Sequence, residues 1–509
     1  MHNKNYQPII YSIILIVGIY LGQFYILQAP TTQNSKLDSI LKLVEENYVD
    51  GFDISDHEDK ILISIMQELD PHSSYIPVKE QSVLEEEMSG SFSGVGIEFN
   101  IIQDSLVVVS PISGGPSEKL GILSGDRIVE VDGEDFASVG LTNQDVIDKL
   151  RGEKDSEVQI KIYRRGLPQL LHYTIVRGDI PLHSVDVSVM LSDKIGYVKV
   201  NRFSGTTNEE FYTATNKLLA AGMSKLVLDL RGNPGGFLGS AIYMCNEFLG
   251  KGELIVYTEG KYRKKQEVYS DDDGRLKHIK LVVLINEGSA SASEIVSGCM
   301  QDLDRGIIIG NRSFGKGLVQ EEIKLPDGSA VRLTTQRYYI PSGRSIQKAY
   351  GESDKEYHTE MYNRSDQKEE NIADSSKYTT KSGRVVYGGG GITPDSIITV
   401  DSSLNYIKYN IIRSKNWISE FALIKQKSID VSEGISSIDP DKLYQEFELF
   451  IYKKNQDFDL SMGEKELLDL KIYLKATLIK NLYSNDAYFR VITESDKFVL
   501  KAIETLEKN

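Results

Sequence analysis

The sequence predicts a multidomain α/β protein, and three observations carry that expectation. The chain has 509 residues, more than a single hydrophobic core usually organises. Residues 281–320 read as strand, serine-rich turn, helix, strand and glycine-flanked lysine loop, an α/β unit. Residues 89–179 change to short strands separated by glycine turns, which marks a separate β-rich domain.

Composition narrows the class of function. Hydrophobic residues make up 40 % of the chain, as in a globular protein, and the net charge of −16 argues against a nucleic-acid partner. The two cysteines, Cys245 and Cys299, sit in apolar periodic stretches and read as buried thiols. No Cys/His cluster has zinc spacing, so neither a metal nor a cofactor is expected.

In chain order, residues 9–27 are almost wholly apolar, and about 20 such residues span a bilayer. A cleaved signal peptide is the competing reading, but Gln28-Ala29-Pro30 makes a poor cleavage site. Residues 1–33 are therefore read as a membrane anchor and linker, with the bulk of the chain outside the cytoplasm. Residues 34–88 form a helical segment, with periodicity at 37–49 and 57–69 broken by Asp70-Pro71-His72-Ser73. His72 reads as a turn histidine. Within 89–179, strands alternate with helices at 116–120 and 143–150. Their order resembles a PDZ domain, which implies that the Gly94-Val95-Gly96-Ile97 loop captures a peptide's terminal carboxylate while the peptide adds as a strand. Residues 180–400 carry the α/β core, with strands near 195–200, 225–230, 281–285 and 307–309 and helices at 208–219 and 240–249. Within it, 352–380 is polar and reads as an exposed insert. Residues 401–509 have aliphatics at helical spacing, a helical C-terminal region that packs on the core or drives homo-oligomerisation.

The chemistry centres on Ser291 and Lys316. A serine at a strand-to-helix corner lies beside free backbone N–H groups, which favour negative charge. Ser291-Ala292-Ser293-Glu294 also fits a helix capping box. A Ser-His-Asp triad has no support, because no histidine sits in a recognisable motif with a carboxylate. Gly310-x4-Gly315-Lys316-Gly317 nearly matches a phosphate loop, but Gly317 replaces the metal-binding hydroxyl and the residues after it alternate like a strand. A Ser-Lys pair needs a neutral lysine, about three units below its reference pKa of about 10.4. The apolar neighbours Ile309, Phe314, Leu318 and Val319 suit that desolvation, and Gln320 is placed to orient the amine.

Three motifs, LDLRGNPGG, GSASASEI and FGKGLVQ, then stand in one order. In that order they resemble the C-terminal processing peptidases, or tail-specific proteases. The resemblance implies a protease core like those of crotonase and Clp protease, with an inserted-type PDZ domain. It implies Ser291 as nucleophile, Lys316 as general base and Gln320 as the residue that positions Lys316. The oxyanion hole would come from the Ala292 N–H and from Gly235 or Gly236, with Gly236 preferred. Substrates would be proteins cut near apolar C-termini held by the PDZ domain, in an enzyme anchored to the inner membrane and facing the periplasm. Arg151 is a candidate link between the PDZ-like segment and the core. The alternative is a non-catalytic PDZ scaffold that binds C-termini without cutting them.

Overall fold

The computed structural model describes residues 36–112, 114–351, 353–360, 376–399 and 405–508. The apolar stretch at 9–27 lies outside the described residues, among which no helix is long and apolar enough to cross a membrane. The chain divides into two units, Met1–Leu69 and Asp70–Asn509. The described part of the first contains the helices Lys36–Asn47 and Glu58–Gln67.

The second unit is built on a six-stranded sheet. Its order is Val185–Met190, Ile195–Val200, Lys225–Asp229, Lys280–Ile285, Ile307–Gly310 and Ser396–Ile397. The first pair is antiparallel and the remaining pairs are parallel. Parallel strands are covered on both faces, which is why these segments read as continuous apolar runs. Side chains alternate between the faces. Leu226, Leu228, Val283 and Ile285 pack beneath the helices Thr207–Ala220, Leu238–Phe248 and Ala292–Asp302. Val227, Val282 and Leu284 pack on the opposite face against Val499, Ala502 and Leu506 of the last helix, Lys497–Lys508. Cys245 and Cys299 are both buried free thiols in the first of these layers.

A second sheet is organised by the long strand Ala330–Tyr339, which pairs with Leu318–Lys324, Ser74–Ile76 and Leu254–Gly260. The β-rich domain forms its own sheet in the order Ile97–Ile101, Leu106–Pro111, Arg127–Val131, Glu157–Tyr163 and Leu171–Val176. Ile97–Ile101 is an edge strand, and the helix Asn143–Leu150 closes the domain core through Val146 and Leu150. The helices from Ile407–Ser414 to Asn485–Thr493 enclose a further core around Trp417, Phe421, Phe447 and Leu474.

The stretch at 352–380 differs from a plain exposed loop. It contains the helix Asp354–Thr359, and Tyr357 is buried because its ring packs edge-on against Phe314 and His72. Lys377–Thr379 pairs with Val385–Tyr387, while 361–375 lies outside the described residues.

Candidate active site

The strand Lys280–Ile285 leads through a small-residue turn to Ser291, and the helix Ala292–Asp302 begins at the next residue. Ser291 has φ 54° and ψ −111°, outside the left-handed helical basin, so its backbone is strained. Strain of this kind persists only where the surroundings over-determine it, and several buried groups do so here. Glu294 is fully buried, and its carboxylate accepts from the Ser291 N–H at 2.8 Å. The same carboxylate accepts from Ser313 Oγ at 2.5 Å, the Gly315 N–H at 2.7 Å and the Lys316 N–H at 2.9 Å. Burial raises its pKa, and these donors oppose the rise. The buried Tyr338 hydroxyl shares its proton between the carbonyls of Lys316 (2.7 Å) and Ser291 (3.0 Å). One carboxylate and one phenol thus tie the serine turn to the lysine loop.

Lys316 follows Gly315, whose φ is +94° and whose absent Cβ would meet Lys348 Cβ at 3.0 Å and Gly391 N at 3.1 Å. The Lys316 Nζ donates to Gln320 Oε1 at 2.7 Å, and Gln320 Nε2 donates to the His72 carbonyl. A register shift between Val319 and Gln320 interrupts the pairing of Leu318–Lys324, and such bulges re-aim side chains. Burial lowers the Lys316 pKa to about 8, and the positive charge of Arg332 adds to the effect. His72 contributes its carbonyl to the site. Its ring bonds Tyr357 at 2.8 Å and is driven down to about 4 by burial and by the charge of Lys316, so it is neutral near pH 7. The turn is held by Asp70, which accepts from the His72 and Ser73 N–H groups at 2.8 and 2.9 Å.

The loop after Lys225–Asp229 completes the site. Phe203 bridges in parallel to Gly236, donating to the Gly235 carbonyl at 2.9 Å and accepting from the Phe237 N–H at 2.7 Å. That pattern turns the Gly236 N–H away from Phe203, and it has no acceptor among the described residues. The Gly235 N–H is already committed to Asn233 Oδ1 at 2.9 Å. Gly236 has φ +138°, and a Cβ there would fall 2.0 Å from the Phe203 carbonyl oxygen, so only glycine fits. Asn233 is fully buried, and its own carbonyl accepts from the Ala290 N–H (2.9 Å) and Ser293 Oγ (3.0 Å), joining this loop to the serine turn.

One cavity of about 1290 Å³ brings together Ser291, Ala292, Lys316, Gln320, Gly235 and Gly236. No histidine lines it. The Gly94-Val95-Gly96-Ile97 loop lies apart from this cavity, at the start of the edge strand. There Gly96 has φ +76°, its carbonyl accepts from Ile112, and its N–H has no acceptor among the described residues. Arg151 lies over the Phe92 ring at 4.2 Å and 3.5 Å from Glu86, so these partners lie in the helix Val78–Ser89 and the strand after it rather than in the protease core. Glu294, Asn233, Tyr338 and the His72 carbonyl were not predicted as site groups. Asn233 stands in the LDLRGNPGG motif, and Glu294 has a signal in its place three residues after Ser291, which equally fits an ordinary helix cap.

Comparison with known proteins identifies the family of the chain. Residues 194–356 match peptidase family S41, and residues 107–164 match a PDZ domain. The carboxy-terminal-processing protease of Bartonella bacilliformis is 38 % identical over 352 residues, 66 % of this chain and 80 % of that protein. The carboxy-terminal processing protease CtpA of Bacillus subtilis is 33 % identical over 332 residues, 64 % of this chain and 69 % of that protein. Among solved structures, a photosystem II D1 C-terminal processing protease aligns with 26 % identity over 75 % of this chain and 91 % of its own, with a TM-score of 0.38. The chain belongs to peptidase family S41, among the carboxy-terminal processing proteases. It is a serine protease with a mixed α/β peptidase core and a PDZ domain.

Proposed function

We propose that this protease cuts protein substrates near their C-termini with a Ser-Lys dyad, Ser291 and Lys316, while its PDZ domain holds the substrate tail. Lys316 Nζ, when neutral, takes the proton of Ser291 Oγ as the oxygen attacks the scissile carbonyl carbon. The N–H groups of Ala292 and Gly236 stabilise the resulting oxyanion, and one such donor is typically worth about 2.7–4 kcal/mol. The Lys316 ammonium then protonates the leaving amine. Water hydrolyses the acyl-enzyme by the same proton path in reverse. Gln320 holds the Lys316 nitrogen toward the serine, and the His72 carbonyl holds Gln320.

The single observation that carries this reading is the lysine itself: half-buried, bonded to a side-chain carbonyl, brought to about 8, and lining the same cavity as a strained serine. The six-stranded sheet with helices on both faces suits a crotonase- or Clp-like core. The Gly94–Ile97 loop would receive the tail's carboxylate, a role supported by the unengaged Gly96 N–H. The apolar residues 9–27 support anchoring to the inner membrane, with the catalytic part in the periplasm.

The test is cleavage of a peptide ending in apolar residues by the wild type, Ser291→Ala and Lys316→Ala. Each variant should lose at least about 10³-fold in kcat yet still bind the peptide. A scaffold that binds without cutting would show no cleavage in the wild type either.

A further inference from the structure

The edge strand Ile97–Ile101 and the helix Asn143–Leu150 form two walls of a groove of about 710 Å³. Phe99, Ile101 and Ile147 supply its apolar lining. The third wall comes from elsewhere in the chain: Arg413, Ser414 and Asn416, at the junction of the helices Ile407–Ser414 and Trp417–Lys425. The helical region is seated on the PDZ domain by more than this contact. Leu423 is buried with Ile102 and Val107, and Lys480 pairs with Glu98 at 2.7 Å.

We infer that the C-terminal helical region completes the peptide groove, and that Arg413 recognises an acidic side chain upstream in the captured tail. The inference rests on the proposed capture of C-termini by the PDZ domain. With the carboxylate at the Gly94–Ile97 loop, the tail must run antiparallel to Ile97–Ile101, from the Ile101 end toward the loop. At about 3.3 Å per residue, the position reaching the Ile101 end lies about four or five residues before the C-terminus. That is where Arg413 stands. The guanidinium is exposed and lies over the rings of Tyr473 (5.2 Å) and Tyr409 (5.8 Å). No described carboxylate pairs with it, although the chain as a whole is strongly acidic. Ring stacking fixes the plane of an arginine while leaving its N–H edge free for a carboxylate.

The experiment measures binding of labelled peptides to the full chain carrying Ser291→Ala, by fluorescence anisotropy. The peptides share one apolar, free-acid C-terminus and carry Asp, Ala or Lys at the upstream position, and one is amidated at its end. Asp should bind about three- to fivefold more tightly than Ala, and Lys more weakly than Ala, with the differences shrinking at high salt. Adding Arg413→Glu should reverse the order of Asp and Lys. Equal affinities for the three free-acid peptides in the unmodified groove would overturn the role of Arg413, even if amidation abolished binding. Binding indifferent to amidation would overturn tail capture itself, and with it this inference.

Discussion

The residue that holds the site together is Glu294. Its two oxygens receive four donors, drawn from the serine turn and from the lysine loop. A carboxylate suits this set because it only accepts. In Glu294→Gln, the amide NH2 replaces one accepting oxygen and faces backbone N–H groups. A buried donor left without an acceptor costs about 1–3 kcal/mol. The variant should lose about that much stability by urea denaturation, and kcat should fall at least tenfold while peptide binding through the PDZ domain is retained. Unchanged kcat would mean that Ser291 and Lys316 are aligned by other contacts.

Among the elements, the order of strands and helices was legible because hydrophobic periodicity is local. The helices expected at 208–219 and 240–249 are found as Thr207–Ala220 and Leu238–Phe248, and the strand at 281–285 as Lys280–Ile285. Ser291, Lys316 and Gln320 were legible as motif residues, and the fold brings them to one cavity. The choice between Gly235 and Gly236 was not legible. It depends on a bridge to Phe203, a long-range pairing that no local pattern encodes. The bulge at Gln320 and the bond from Gln320 to the His72 carbonyl, 248 residues away in sequence, were hidden for the same reason. Tyr357 shows the opposite error. Its neighbours are so polar that local composition masks one buried ring.

At the scale of the whole peptidase unit, the last helix, Lys497–Lys508, covers the face of the central sheet opposite the serine helix. Its first turn is tied to the glycine loop. Asp496 accepts from both Arg231 Nη atoms, at 3.1 and 2.8 Å, while Arg231 Nε bonds the buried Asp229. Although burial opposes it, Arg231 and Lys199 hold the Asp229 pKa down to about 2. Arg231 opens the loop that ends at Gly235 and Gly236, so the C-terminal helix braces the proposed oxyanion donor. Asp496→Ala removes two charge-assisted bonds, worth about 1.5–3 kcal/mol each at most, and leaves Arg231 paired only with Asp229. Thermal denaturation should show lowered stability, and kcat should fall with little change in peptide affinity. A variant with full stability and full kcat would show that the helix merely covers the sheet.

The central claim is that Lys316 works as a neutral amine, and the pH dependence of kcat/KM tests it most directly. With the Lys316 pKa near 8, the rate on a fixed peptide should rise tenfold per unit through the acid range and level off above about pH 8. At pH 6 roughly one per cent of the amine is neutral, and the rate should fall to about that fraction of its plateau. A profile flat from pH 6 to 9, or one still climbing through about pH 10 as an exposed lysine would require, contradicts the account.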